Sequence, residues 1–260
     1  MSTPTRSTPT APRVFADLYR GRRVLVTGHT GFKGAWLCEW LLALGAEVTG
    51  YSLDPPTEPD LFTQLDLASR LTHHRADLLD RARLESVVRA TQPDFVFHLA
   101  AQAIVRESYV TPVETFAVNV QGTVNVLEAG RRVGSGRTVL ASTVWVYGST
   151  VGDIVDETTP FTEDMDRHLY ITTKIASEFA CRDYLNLYDR PFTVLRYGIP
   201  YGPRMRETTV MSAFFRRALA GEALTIDGDG MQSRNFVYVS DLADAHVLAL
   251  GQAERDGHAP

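Results

Sequence analysis

The apolar run Val24-Leu25-Val26 leads directly into Thr27-Gly28-His29-Thr30-Gly31-Phe32-Lys33-Gly34, and a helical pattern, Gly34 to Leu44, follows. A strand, a glycine-rich turn and a helix in this order constrain the fold strongly, because the helix N-terminus must face the end of the strand. The first-turn N–H groups of a helix have no partners within it, and the helix dipole adds partial positive charge at the same end. The turn is therefore suited to an anion, and a dinucleotide pyrophosphate fits it. Gly28 allows the tight turn, Gly31 lets the backbone approach the phosphates, and Gly34 lets the helix pack close to the strand.

The same alternation continues downstream. Strand patterns at Arg23–Thr27, Glu47–Leu53, Phe95–Leu99, Thr138–Ser142 and Phe192–Arg196 are separated by helical patterns at Gly34–Leu44, Arg81–Thr91, Val113–Val133 and Tyr170–Tyr188. The first, third and fourth strands are apolar nearly throughout, as in a parallel sheet covered on both faces. Right-handed crossovers then predict an α/β fold with a doubly wound parallel sheet. Beyond Arg196 the pattern changes to a turn-rich segment, Tyr197 to Pro203, an amphipathic helix over Val210–Ala220, a turn at Gly228-Asp229-Gly230, a strand over Asn235–Val239 and a helix over Asp241–Ala253. Loops past the carboxyl ends of the strands are where a substrate belongs in such a sheet.

A chain of 260 residues, 44% of them hydrophobic, buries a full core. Its net charge of −5, with no cluster of lysine or arginine, argues against a nucleic-acid partner. No apolar run approaches the roughly 18 residues of a membrane span, and the Ser/Thr/Pro-rich stretch Ser2 to Pro12 has no apolar core. Cys38 and Cys181 fall in helical patterns without metal or redox spacing and read as buried free thiols, so a reducing, cytoplasmic setting is expected. The histidines have no metal spacing, and no metal is expected. His73-His74 reads as a solvated loop, and His98, closing a strand, as a packed structural residue. No Gly-x-Ser-x-Gly elbow points to a serine hydrolase.

A second signal lies about 140 residues past the glycine turn: Tyr170 and Lys174, four apart on one helix face, with Thr143 upstream at a strand end. An ammonium beside a phenol favours the phenolate and is expected to lower the tyrosine pKa toward working pH. Such a phenolate can take a proton from a sugar hydroxyl while the carbinol hydride departs.

Together with His98-Leu99-Ala100-Ala101-Gln102, Asn119-Val120-Gln121-Gly122-Thr123, Ser142-Thr143-Val144-Trp145-Val146-Tyr147-Gly148 and Arg234-Asn235-Phe236-Val237-Tyr238, these motifs resemble the extended short-chain dehydrogenase/reductase family, the nucleotide-sugar epimerases and dehydratases. The resemblance runs from about Arg22 to Ala245 and implies a Rossmann fold. It implies that Gly28, Thr30, Gly31, Phe32, Lys33 and Gly34 form the pyrophosphate turn, that Asp77 and Leu78 flank the adenine, and that Leu99, Ala100, Ala101 and Asn119 line the nicotinamide side. Thr143, Tyr170 and Lys174 would be catalytic, with Tyr170 and Lys174 also contacting the cofactor. Thr143, Tyr170 and Arg234 would meet the nucleotide-diphosphate sugar, the arginine forking onto its phosphates. The helices at Val113–Val133 and Tyr170–Tyr188 resemble those that pair across a dimer in this family, so a homodimer is expected. The expected organisation is a disordered tail over 1–13, a dinucleotide-binding domain over 14–196, and a small, incomplete substrate lobe over 197–260 interleaved with it.

The resemblance divides on the reaction. Gly31 to Leu37, Tyr51 to Thr57 and Ala101 to Arg106 are similar to the CDP-glucose 4,6-dehydratases, whereas the C-terminal half resembles the UDP-glucose 4-epimerases. A 4,6-dehydratase needs acid/base groups beyond the tyrosine, and in those enzymes they directly follow the serine or threonine of this strand. Val144 and Trp145 stand there and carry no proton at neutral pH. The same gap speaks against the sugar-nucleotide decarboxylases. A 4-epimerase needs only Thr143, Tyr170 and Lys174, and this reading is favoured. A 4,6-dehydratase, a 4-ketosugar reductase or epimerase of another carbon, and a non-catalytic dinucleotide-binding relative remain alternatives. One departure touches the epimerase reading: after Arg196-Tyr197 the epimerases commonly have Phe-Asn, and this chain has Gly198-Ile199. Trp145 reads as a core aromatic or as a sugar-stacking platform. For the cofactor, an acid near the end of the second strand would hold a ribose 2′-hydroxyl. That place falls near Ser52, with Asp54 two residues later, while Lys33 in the turn suits a 2′-phosphate. The resemblance favours NAD over NADP.

Overall fold

The computed structural model describes residues 18–148, 154–163 and 168–256, with side chains to residue 250. The expected tail over 1–13 lies outside the described residues. Six parallel strands, β1 (Arg23–Thr27), β2 (Glu47–Ser52), β3 (Thr72–Arg75), β4 (Phe95–His98), β5 (Arg137–Thr143) and β6 (Phe192–Tyr197), form one sheet in the order β3-β2-β1-β4-β5-β6. This is the doubly wound sheet expected from the alternating pattern. Its order reverses between β1 and β4, the switch point beyond whose carboxyl ends such sheets bind ligands.

The two faces of the sheet follow the two-residue period of its strands. Val24 and Val26 point into a core with Leu37, Leu41, Phe97 and Val139, while Leu25 and Val96 point into another with Leu84, Val88 and Val126. Each fully buried aliphatic side chain of this kind contributes about 1.5–3 kcal/mol. The helices α1 (Phe32–Ala43), α2 (Leu61–Gln64) and α3 (Leu67–Arg70) lie on the first side, and α4 (Arg81–Thr91) on the second. Next come α5 (Val105–Val110), α6 (Pro112–Phe116), a π-helical turn (Ala117–Gln121) and α7 (Gly122–Val133). After β5 a 3-10 turn (Val144–Tyr147) precedes α8 (Leu169–Tyr188). Cys38 and Cys181 are free and buried, as expected.

The C-terminal part adds a two-stranded parallel sheet, β7 (Ile199–Tyr201) with β8 (Phe236–Tyr238), and two helices, α9 (Val210–Leu219) and α10 (Val239–Asp256). The last helix returns to the main sheet, where Val247 and Leu250 join the α1-side core and the Tyr19 hydroxyl donates to the Val247 carbonyl at 2.8 Å. Among the described residues no helix is long and apolar enough to cross a membrane.

Two sequence expectations are corrected. His73 and His74 lie on edge strand β3, not on a solvated loop. The segment Thr-His-His-Arg has no apolar alternation, and its pairing is set by β2 alongside it. The single helix expected over Val113–Val133 starts at Pro112 and is interrupted by the π-helical turn around Asn119. Such a turn inserts one residue without breaking the helix, a feature hydrophobic periodicity cannot register.

Candidate active site

The glycine turn joins β1 to α1 at this switch point. Gly28 has φ +75°, and a Cβ there would lie 2.7 Å from the Ala100 nitrogen. At Gly34 a Cβ would strike the Gly28 carbonyl, so the missing side chain keeps α1 against the turn. Helix α1 begins at Gly31 with no side-chain cap, leaving the N–H groups of Phe32 and Lys33 for an anion. Thr30 ties the turn to the end of β2, donating to the Leu53 carbonyl and meeting the Ser52 hydroxyl, both at 2.9 Å. Beyond β2, the Asp54 carboxylate is paired with Arg75 at 2.5 Å on the surface. Asp77 is exposed and accepts from the Leu79 N–H at 2.9 Å, while Leu78 is buried against Gly122. The segment Leu99-Ala100-Ala101 leaves β4 beside Gly28, with the Ala100 N–H on the Thr27 hydroxyl. Asn119 bridges two elements: its carbonyl oxygen accepts from the Gln102 N–H at 2.8 Å, and its amide donates to the Gln102 carbonyl and the Thr173 hydroxyl, each at 3.0 Å. It thereby clamps the β4 loop to α8.

The cradle of glycines and the uncapped α1 N-terminus at the switch point of the sheet fit a dinucleotide pyrophosphate. Gly28, Gly31, Phe32, Lys33 and Gly34 form this turn, and Leu99, Ala100 and Ala101 leave β4 beside it.

Thr143 ends β5, and its hydroxyl accepts from the Trp145 N–H at 3.3 Å. Tyr170 and Lys174 share one face of α8, but their chemistry departs from expectation. The Lys174 ammonium is buried, donates to the Ala141 carbonyl at 2.9 Å, and lies 5.9 Å from the centre of the Tyr170 ring. It does not lower the phenol's pKa. Burial pushes Tyr170 up to about 12, and Arg206 is the cation that opposes the rise. Burial likewise lowers Lys174 to about 8, with Glu178 acting against it.

Lys33 crosses from the glycine turn to the end of β6. Its ammonium donates to the Tyr197 hydroxyl at 2.7 Å and lies 4.4 Å from the ring centre. Burial and the neighbouring charges of Lys174 and Arg206 lower its pKa to about 7. Tyr197 pairs in register with Thr143, so this contact connects the glycine turn to the end of β5. Sequence reasoning assigned no role to Tyr197 or Arg206, since neither belongs to a recognisable spacing. Behind Tyr170 a buried ion pair fixes α8 to the sheet: Arg196 meets Glu178 at 2.6 Å, Glu178 accepts from the Ser142 hydroxyl at 2.5 Å, and Arg196 donates to the Tyr147 hydroxyl at 2.6 Å.

A cavity of about 1570 Å³ runs along edge strand β6 and the adjoining side of α8, lined in part by Trp145, His168, Tyr197, Gly198 and Arg234; Thr143, Tyr170 and Lys174 are not among its lining residues. Trp145 belongs to its wall, packing edge-on against His168 at 5.4 Å between ring centres. Arg234 is exposed at the cavity, its guanidinium on the Ser233 carbonyl at 2.7 Å. Gly198 is explained by close approach, because a Cβ there would collide with the Asn235 carbonyl, and that carbonyl accepts the Ile199 N–H at 2.8 Å. His98 is a packed structural histidine as expected, with its ring nitrogens on the Thr27 and Thr123 hydroxyls at 2.7 and 3.0 Å. Among the described residues no group of histidine, cysteine and carboxylate side chains is arranged to hold a metal.

The model of the NAD dependent epimerase/dehydratase family matches residues 24–259. The chain is 36% identical over 191 residues to the CDP-glucose 4,6-dehydratase of Salmonella typhimurium, covering 70% of this chain and 51% of that protein. It is 35% identical over 237 residues to the UDP-glucose 4-epimerase of Mycolicibacterium smegmatis, covering 89% and 74%. The chain thus spans about half the length of the first relative and about three quarters of the second. Among solved structures, the UDP-glucose 4-epimerase of Thermus thermophilus in complex with NAD superposes with a TM-score of 0.79 at 36% identity, covering 88% of this chain and 74% of that one. The dTDP-glucose 4,6-dehydratase of Streptomyces venezuelae with NAD bound gives 0.78 at 29%, covering 88% and 71%. A glycine turn at the reversal point of the sheet, a tyrosine and lysine one turn apart behind it, and a family match over nearly the whole chain converge: this chain belongs to the NAD-dependent epimerase/dehydratase family.

Proposed function

We propose that the protein catalyses reversible oxidation at C4 of a nucleotide-diphosphate hexose and acts as a 4-epimerase, with NAD as cofactor. The observation that carries this reading is the convergence of the glycine turn with Thr143, Tyr170 and Lys174, linked through the Lys33–Tyr197 contact. Leu99, Ala100 and Ala101 would hold the nicotinamide, which when bound would supply the hydride acceptor. Tyr170 takes the C4 hydroxyl proton, Thr143 orients that hydroxyl, and Lys174 holds a ribose hydroxyl. Arg234, on the cavity wall, meets the sugar-nucleotide phosphates. Return of hydrogen to the opposite face of the 4-keto sugar completes the epimerisation and needs no further acid or base. Val144 and Trp145, which carry no ionisable group, favour this reading over dehydration. Dehydration is the second reading, supported by the 36% identity to the Salmonella enzyme. The homodimer expected from the resemblance would cover α8, where Phe179, Leu187 and Tyr188 are exposed.

The test is incubation of the purified protein with NAD⁺ and, separately, UDP-glucose, UDP-galactose and CDP-glucose, with products identified by NMR. A C4 epimer supports the proposal. Loss of water to a 4-keto-6-deoxy product replaces epimerisation with dehydration, and no turnover of any of the three overturns the enzymatic reading.

A further inference from the structure

The C4 reaction makes no use of the polar groups gathered at the end of β2: Thr30 from the glycine turn, Ser52 closing the strand, and Asp54 in the loop beyond it. The Thr30 hydroxyl has one proton and gives it to the Leu53 carbonyl at 2.9 Å. The Ser52 hydroxyl, 2.9 Å from the same oxygen, must then donate to Thr30, and its own oxygen keeps lone pairs for an incoming donor. Ser52 pairs in register with Arg75 at the end of β3, and the Ala76 N–H donates to the Ser52 carbonyl at 2.8 Å. Residues paired in register carry their side chains on the same face of a sheet. The Arg75 guanidinium reaches Asp54 and meets its carboxylate at 2.5 Å, the two side chains being 69% and 58% exposed.

This corner therefore presents oxygen acceptors, and the guanidinium of Arg75 is already matched by a carboxylate. Acceptors suit a hydroxyl, which has a proton to give, and repel a phosphomonoester, which is anionic near pH 7. In doubly wound sheets an acid after the second strand takes the ribose 2′-hydroxyl of NAD, and a nearby arginine takes the 2′-phosphate of NADP. Lys33, the turn residue suited to a 2′-phosphate, reaches Tyr197 on β6 instead, at the far end of the sheet order from β2. Asp60 and Asp77, in the loops after β2 and β3, accept from the Thr63 and Leu79 N–H groups. Asp54 is the carboxylate that meets Arg75.

We propose that Asp54 selects NAD over NADP in this chain by holding Arg75, and that the pair closes a latent phosphomonoester site between Arg75 and Ser52. The inference rests on the dinucleotide reading above and deepens it. With Asp54 in place, a 2′-phosphate meets a carboxylate, and Arg75 must leave an ion pair to reach the phosphate. Without that carboxylate, the forked N–H donors of Arg75 are open to phosphate oxygens. Ser52 then turns its hydroxyl from acceptor to donor by releasing Thr30. Both charged side chains are exposed, so water and salt screen the pair and the selection it provides is moderate, about 10-fold.

The experiment measures binding of NAD⁺ and of NADP⁺ to the full chain by isothermal titration calorimetry. It compares wild type, Asp54→Asn, and Asp54→Asn combined with Arg75→Leu. Both positions are exposed, so the fold tolerates the substitutions. Wild-type protein prefers NAD⁺. In Asp54→Asn the ratio of NADP⁺ to NAD⁺ affinity rises about 10-fold, and the rise shrinks as salt is added. The double variant loses the rise, because the guanidinium that receives the phosphate is gone. An unchanged ratio in Asp54→Asn, a rise that survives in the double variant, or a wild type that prefers NADP⁺ overturns the role of Asp54 and leaves the dinucleotide reading standing. No binding of either nucleotide to the wild type removes the parent reading and this inference with it.

Discussion

Tyr170 keeps its proton in this structure, because burial raises its phenol to about 12 and Arg206 offsets the rise only in part. Deprotonation therefore calls for more positive charge near the phenol, which a bound oxidised nicotinamide would supply. Tyr170→Phe removes the hydroxyl and retains the ring that stacks on His168, so the fold and the glycine turn are expected to survive. NAD⁺ titrated by quenching of protein fluorescence should bind the variant with affinity close to wild type, while kcat falls by roughly 10²–10⁴-fold, as for loss of a general base. A variant with near wild-type turnover would refute the assigned role. Lys174 is a subtler residue. Its ammonium rests on a backbone carbonyl rather than on the phenol.

The turn between β1 and α1 is an element defined by what it lacks. Gly34→Ala places a methyl group against the Gly28 carbonyl and 2.7 Å from the His29 Cα, both rigid backbone. Helix α1 must shift outward, at about 1–3 kcal/mol for overpacking of this kind. The expected outcome is a lower urea midpoint together with weaker NAD⁺ binding; binding at wild-type strength would mean that the turn tolerates the shift. This element was legible in the sequence because its information is local: three glycines at fixed spacing after an apolar run. Tyr170 and Lys174 were legible for the same reason, four residues apart on one helix. What the sequence hid is non-local. Edge strand β3 has no hydrophobic period of its own and exists through its pairing with β2. The π-helical turn at Asn119 follows from a clamp onto Gln102 and Thr173 from distant segments. Lys33 was read as part of the phosphate turn, and its side chain reaches Tyr197, 164 residues away in sequence.

Among the described residues three histidines are buried and held neutral in separate places: His29 in the glycine turn, His98 at the end of β4 and His246 in α10. Burial lowers His29 and His98 to about 3 and His246 to about 4. Each folded value lies below the unfolded one of about 6.5, so the unfolded chain binds more protons throughout the interval between them. Stability is therefore complete above about pH 6.5 and declines as pH falls toward the folded values. Each histidine contributes up to about 1.4 kcal/mol per pH unit in that window, and His74 and His168, also lowered by burial, act in the same direction. The carboxylates held low by arginine partners, such as Glu128 at about 2, begin to titrate only below about pH 4.5 and do not contribute in the upper part of the window. Between pH 7.5 and 5.5 the three buried histidines together remove roughly 4 kcal/mol, a large part of the roughly 5–15 kcal/mol that holds a domain folded. Urea unfolding at the two pH values measures this directly. A marked fall in midpoint with an unchanged slope is expected, and equal midpoints would show that these rings gain protons without opening the glycine turn, β4 or α10.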